Sequence, residues 1–76
     1  MLNIKDIKNS QYFWGKDPKD GKVWEFKAWQ APFERDGKLW IECTDAGDYI
    51  YEFDETDAYM LYATEQEANE DQSQTG

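Results

Sequence analysis

Residues 33–54, FERDGKLWIECTDAGDYIYEFD, decide how this chain folds, because two turn signals cut them into three runs of alternating residues. Asp36-Gly37 is the pair that a tight primed hairpin turn favours: both central positions need a positive φ, which glycine adopts without a Cβ clash. The sequence therefore predicts a hairpin that pairs the strand ending near Phe33 with LWIECT, residues 39–44. Side chains alternate across a strand, so Leu39, Ile41 and Cys43 fall on one face and Trp40 and Glu42 on the other. DAGD, residues 45–48, makes the next turn. A strand over 48–54 then places Tyr49, Tyr51 and Phe53 against the core and Asp48, Ile50, Glu52 and Asp54 on the opposite side.

Working towards the N-terminus, KVWEFKAW (22–29) alternates in the same way. Trp24, Phe26 and Ala28 are expected inside, with Val23, Glu25, Lys27 and Trp29 outside. Pro32 lacks the N–H that a ladder needs and should end or bulge this strand. QYFWG (11–15) reads as a further strand, joined through the turn DPKDG (17–21), and residues 3–9 as a short helical turn. Towards the C-terminus, AYMLY (58–62) fits either another strand or the start of a helix. Thr64 and Glu67 have the spacing of a capping box, which predicts a helix from 65 to about 71. The fold class expected is α+β: a small twisted antiparallel sheet of three to five strands in a meander, with short terminal helices. One domain should span 1–68, followed by a disordered polar tail over 69–76.

A chain of 76 residues has room for one core. Its 17% aromatic content gives large buried area per residue, which favours folding over disorder. A single cysteine, Cys43, excludes an intrachain disulfide and fits a reducing compartment. MLNIKDIKNSQYF is broken by Lys5, Asp6 and Lys8 before any apolar run develops, so it does not resemble a signal peptide. No run reaches membrane-spanning length, and a soluble, cytoplasmic protein is expected.

Charge is divided unevenly. All eight basic residues lie within the first 38 positions beside six acids, whereas residues 39–76 hold eleven acids and no lysine or arginine. The entire excess behind the net charge of −9 thus sits in the second half. Such asymmetry bears on partners and association kinetics. The outer face of the expected sheet carries Glu25, Lys27, Glu42, Asp48, Glu52 and Asp54 together with Val23, Trp29, Trp40 and Ile50. Either a helix covers those apolar groups, or they form an exposed aromatic patch.

Chemistry is hard to place on this sequence. It has no histidine, which removes the commonest general base and metal ligand along with every Ser-His or Cys-His arrangement. It contains no phosphate-binding loop, dinucleotide fingerprint or paired-cysteine zinc spacing. DAGD and DETD lack the alternating oxygen ligands and closing glutamate of a calcium loop. No catalytic residue, cofactor or metal is expected, and the chain is read as a non-enzyme. Aromatics on a small sheet can stack bases, but a half carrying −11 would repel phosphates, so direct nucleic-acid binding is not expected.

The same electrostatics suits a protein that occupies a basic groove meant for nucleic acid. Same-face residues recur about every 6 to 7 Å along a strand, so Asp48, Glu52 and Asp54 would present a row of anions to lysines and arginines. Glu42, Asp45, Glu55 and Asp57 extend that surface, and Trp29 and Trp40 would supply its apolar anchors. If these carboxylates serve recognition alone, neutralising Asp48, Glu52, Asp54 and Asp57 should leave folding intact. In size and acidity the chain resembles the small proteins that phages and mobile elements use against restriction or CRISPR nucleases, several of which imitate nucleic acid. That resemblance implies an inhibitor or modulator of a basic nucleic-acid-binding protein or nuclease complex. The alternative is a small accessory subunit or adaptor that docks on a larger protein through exposed aromatics, with acidity serving solubility.

Overall fold

The computed structural model describes residues 2–70. Six strands follow one another as β1 (Tyr12–Lys16), β2 (Val23–Ala28), β3 (Phe33–Arg35), β4 (Lys38–Thr44), β5 (Ile50–Asp54) and β6 (Leu61–Tyr62). One α-helix, α1 (Glu65–Glu70), closes the described chain, and 3₁₀ segments occupy Ile4–Asp6 and Glu55–Met60. The fold is a curled antiparallel sheet with short helices, the α+β class that the alternating runs predict.

The Asp36-Gly37 hairpin forms as expected. Their φ values of 56° and 77° are the two left-handed conformations that a type I′ turn requires, and Arg35 pairs with Lys38 across it. β2 and β3 behave as one strand with an interruption, since both pair with β4 on the same side. Ala28 faces Cys43 and Phe33 faces Trp40, so residues 29–32 stand opposite only Ile41 and Glu42. Two extra residues bulge out around Pro32, whose missing N–H cannot join the ladder. An even insertion keeps the faces in phase, leaving Ala28, Ile41 and Cys43 inside and Phe33 and Trp40 outside.

β1 pairs with β2 along its length, and β6 adds to the other side of β1. AYMLY therefore divides: its first three residues end the second 3₁₀ segment and its last two form β6. The core lies on the concave side. Phe13, Phe26, Ala28, Ile41, Cys43 and Leu61 line it, and the N-terminal segment fills it with Leu2, Ile4 and Ile7. The expected helical turn over 3–9 is the shorter 3₁₀ turn Ile4–Asp6, capped by the Asn3 side chain, which accepts from the Lys5 N–H. Gly15 is a close-approach position: a Cβ there would stand 2.9 Å from the Phe26 ring.

Helix α1 packs on β1, β2 and β6. Ala68 is its buried residue, and Tyr62, which alternation puts on the outer side opposite Leu61, is buried as well. The helix thus covers one part of the outer face, and Trp29 and Ile50 remain uncovered. Thr64 Oγ1 accepts from the Glu67 N–H, the cap expected from their spacing. The helix runs to Glu70, so the stretch expected to be a disordered tail over 69–76 begins within it, and residues 71–76 lie outside the described residues.

Five residues depart from their expected placement. Trp24 is 48% exposed rather than core, because β2 pairs with β4 only from Lys27 onward and its first half projects beyond that neighbour. Tyr49 is 71% exposed and Tyr51 is also exposed, since the strand starts at Ile50 and β5 has a neighbour on one side only. Of the aromatic trio, Phe53 alone is half-buried against the core, with Tyr51 reaching the Phe26 ring from an exposed position. Asp54, expected on the solvated face, is buried, and Asp48 sits in the preceding turn with φ 64°.

Candidate functional site

The acids of residues 42–57 are organised mainly by their own backbone. Asp45 Oδ1 accepts from the Gly47 N–H at 2.8 Å and the Tyr49 N–H at 3.0 Å, which ties the DAGD turn together. Asp54 caps the second 3₁₀ segment: its carboxylate accepts from the Thr56 N–H at 2.9 Å and from the Thr56 hydroxyl. Asp57 Oδ2 accepts in return from the Asp54 N–H at 3.0 Å, completing a capping box. Glu55 Oε1 accepts from the Leu39 N–H at 2.8 Å and so satisfies a β4 donor just beyond the end of β5. Lone-pair demand at turns and caps explains the acids of DETD without reference to a partner.

Glu42 and Glu52 face each other directly across β4 and β5, a like-charge pair that is unfavourable by itself. Each is relieved separately. Glu42 accepts from Gln30 Nε2 at 2.8 Å, and Glu52 holds a two-point pair with Arg35, at 3.0 and 3.3 Å. The hydrogen bond from Arg35 holds the Glu52 carboxyl below its ordinary range and raises the guanidinium in turn. The Thr56 hydrogen bonds hold Asp54 low as well, with Lys38 Nζ 3.8 Å away adding a smaller pull. Tyr51 is pushed up, first by its hydrogen bond to Asp45 and then by burial.

A continuous anion row along β5 is therefore not formed. Asp48, Glu52 and Glu55 are exposed, Glu52 in its pair with Arg35 and Glu55 on the Leu39 N–H, while Glu42, Asp45 and Asp57 are half-buried and Asp54 is enclosed. Asp54 and Asp57 hold local structure, so their neutralisation is not neutral for folding. The two tryptophans also differ. Trp29 is 53% exposed beside Glu42, whose carbonyl accepts its backbone N–H. Trp40 is half-buried, donates from its indole to the Arg35 carbonyl at 3.0 Å, and lies under the Arg35 guanidinium, 4.1 Å from the ring centre.

On the concave side an open cleft of about 420 Å³ lies between the β1–β2 end and β5, walled by Trp24, Phe26, Tyr51, Phe53, Tyr59 and Met60. The Phe26 ring sits 5.3 Å from Tyr51 and 5.2 Å from Phe53, so these three form its floor. Sequence reasoning missed this cleft, because it assigned Trp24 and Tyr51 to a filled core. The available signal was Gly15, a strand glycine that marks a close approach. Among the described residues no three acidic or cysteine side chains converge to hold a metal ion, and no helix is long and apolar enough to cross a membrane. No protein-family model, curated protein or solved structure matches the chain.

Proposed function

We propose that this protein is a non-enzymatic acidic modulator that binds a basic, nucleic-acid-handling protein, in the manner of the small inhibitors of restriction or CRISPR nucleases. The observation that carries the reading is charge segregation: from residue 39 onward the chain has no lysine or arginine, and β4, the turn before β5, β5 and the second 3₁₀ segment bring together half-buried Glu42 with exposed Asp48, Glu52 and Glu55. Trp29, with Ile50 at 59% exposure, adds apolar area to the same outer face. Anions of this kind attract a cationic partner over long range, and an exposed tryptophan gives the desolvated contact on which affinity depends. Several of the carboxylates are already held by backbone donors, so less ordering is needed on binding.

The test uses a variant that spares the caps: Glu42→Gln, Asp48→Asn, Glu52→Gln and Glu55→Gln. Amide oxygens can still accept the local hydrogen bonds, and asparagine tolerates the left-handed φ at 48. Proteins captured on the immobilised wild type should be displaced by duplex DNA and by salt, and the variant should capture none of them while keeping its circular dichroism. Capture that survives both salt and the four substitutions overturns the reading. The exposure of Trp24, Trp29 and Tyr59 then favours the adaptor alternative, in which Trp29→Ala abolishes binding.

A further inference from the structure

The ladder between β4 and β5 reveals an open backbone edge. In an antiparallel pair, residues that exchange hydrogen bonds alternate with residues whose N–H and C=O point away from the partner strand. The Asp45 N–H donates to the Tyr49 carbonyl at 3.1 Å, which places Tyr49, Tyr51 and Phe53 in bonding contact with β4 and turns Ile50, Glu52 and Asp54 outward. The other side of β4 agrees, because the Glu42 carbonyl, opposite Glu52, is taken by the Trp29 N–H of the neighbouring strand. The outward Asp54 N–H is closed off by Asp57. Ile50 and Glu52 are left with two N–H and two C=O groups that make no hydrogen bond among the described residues.

The other edges differ: β2, ahead of its pairing with β4, also turns Val23 and Glu25 outward, but Lys22 and Lys27 flank them there. The Leu61 carbonyl of β6 accepts from the Leu2 N–H, and β3 turns only Glu34 outward. Among the described residues, what sets the β5 edge apart is its acidic surroundings, added to free backbone groups and, on its inner side at Tyr51, the wall of the aromatic cleft. We infer that β5 accepts an extended basic segment of a partner protein as an added strand, with a lysine or arginine beside Glu52 and an apolar side chain turned towards the cleft. This deepens the proposed function and rests on its basic partner. A second copy of the chain is disfavoured as occupant, because each copy carries −9 and would bring its own Glu52 and Asp48 to the seam. Edge addition of this kind draws affinity from main-chain hydrogen bonds and specificity from alternate side chains.

The test is amide exchange by NMR on the full chain with a synthetic peptide of about ten residues alternating lysine and valine, a length that spans the edge with margin. In the free protein the Ile50 and Glu52 amides should exchange fast and those of Tyr51 and Phe53 slowly. Bound peptide should slow Ile50 and Glu52 at least tenfold. The same peptide N-methylated at every lysine keeps its charge but loses the donors that face β5, and should bind at least tenfold more weakly. Ile50→Pro removes one outward donor without touching the β4 ladder and should weaken binding likewise; the methylated peptide gives the answer independently if that variant misfolds. Equal binding of both peptides, with no protection at Ile50 and Glu52, overturns the edge assignment and leaves the acidic-partner reading standing. Absence of binding by either peptide at low salt overturns both. Protection of these amides in the free protein that vanishes on dilution overturns the assignment in favour of self-association.

Discussion

Asp54 is the residue on which the acidic segment turns. It ends β5, starts the following 3₁₀ segment and is held ionised by Thr56, with its carboxyl below the ordinary value near 4. A carboxyl lowered in the folded state stabilises the fold above its unfolded value, and this contribution disappears as pH falls through the folded one. Stability should therefore fall as pH drops below about 5, and Asp54→Asn, which keeps a capping oxygen, should flatten that part of the curve in urea titrations across pH. Glu52 contributes in the same direction through exposed Arg35, so its share should fade at high salt while that of Asp54 persists. Cys43 behaves oppositely. Burial, with smaller effects from Asp45 and Glu42, pushes its thiol up to about 12. The native protein should leave thiol reagents unreacted at pH 8, and labelling should proceed only at the rate of opening, checked by its acceleration in sub-denaturing urea.

At the scale of the element, the β3–β4 hairpin sets the register of the sheet's centre. Gly37 has φ 77° with no atom within 4 Å of where a Cβ would stand, so substitution costs backbone torsion and no packing. Gly37→Val should destabilise by about 1 kcal/mol or more, read from the urea midpoint at unchanged slope, and Gly37→Asn should recover most of that loss. The bulge at residues 29–32 has a separate consequence. It ends the β2 ladder without changing which face each later residue occupies, and it leaves Trp29 projecting at the point where the backbone departs. An exposed tryptophan at a strand break has few neighbours to hold it, which suits contact with a partner better than the Trp40 ring beneath Arg35.

For the whole molecule the governing quantity is a net charge of −9 on 76 residues. Self-repulsion destabilises the compact state, while the exposed Arg35–Glu52 pair is worth little and is itself screened. Repulsion should win. Raising sodium chloride from about 20 to 300 mM shortens the Debye length below the spacing of most surface charges and should raise the thermal midpoint. A midpoint that falls with salt would show that local ion pairs outweigh the net charge. Partner binding should move the other way over the same range, so one salt series separates the charge that opposes folding from the charge that serves recognition.

Period-two alternation and the turn chemistry of Asp36-Gly37, Gly21 and DAGD are local properties, and they were enough to determine β1, β2, β4 and β5, the hairpin turn and the inward set of Leu39, Ile41 and Cys43, while AYMLY stayed open between strand and helix. The capping box at Thr64 and Glu67 was legible for the same reason, since its partners are three residues apart. What alternation could not supply is how far each neighbour extends. Trp24 and Tyr51 point inward by parity, but whether that side is filled depends on where β2 leaves β4 and on β5 being an edge, which are facts of sheet curl between residues distant in sequence. The acids show the same limit. Their number and sign were plain, yet the division between Asp54, Glu55 and Asp57, which accept from backbone N–H groups, and Asp48 and Glu52, which do not among the described residues, arises only when the chain has turned and orphan N–H groups choose the nearest carboxylate.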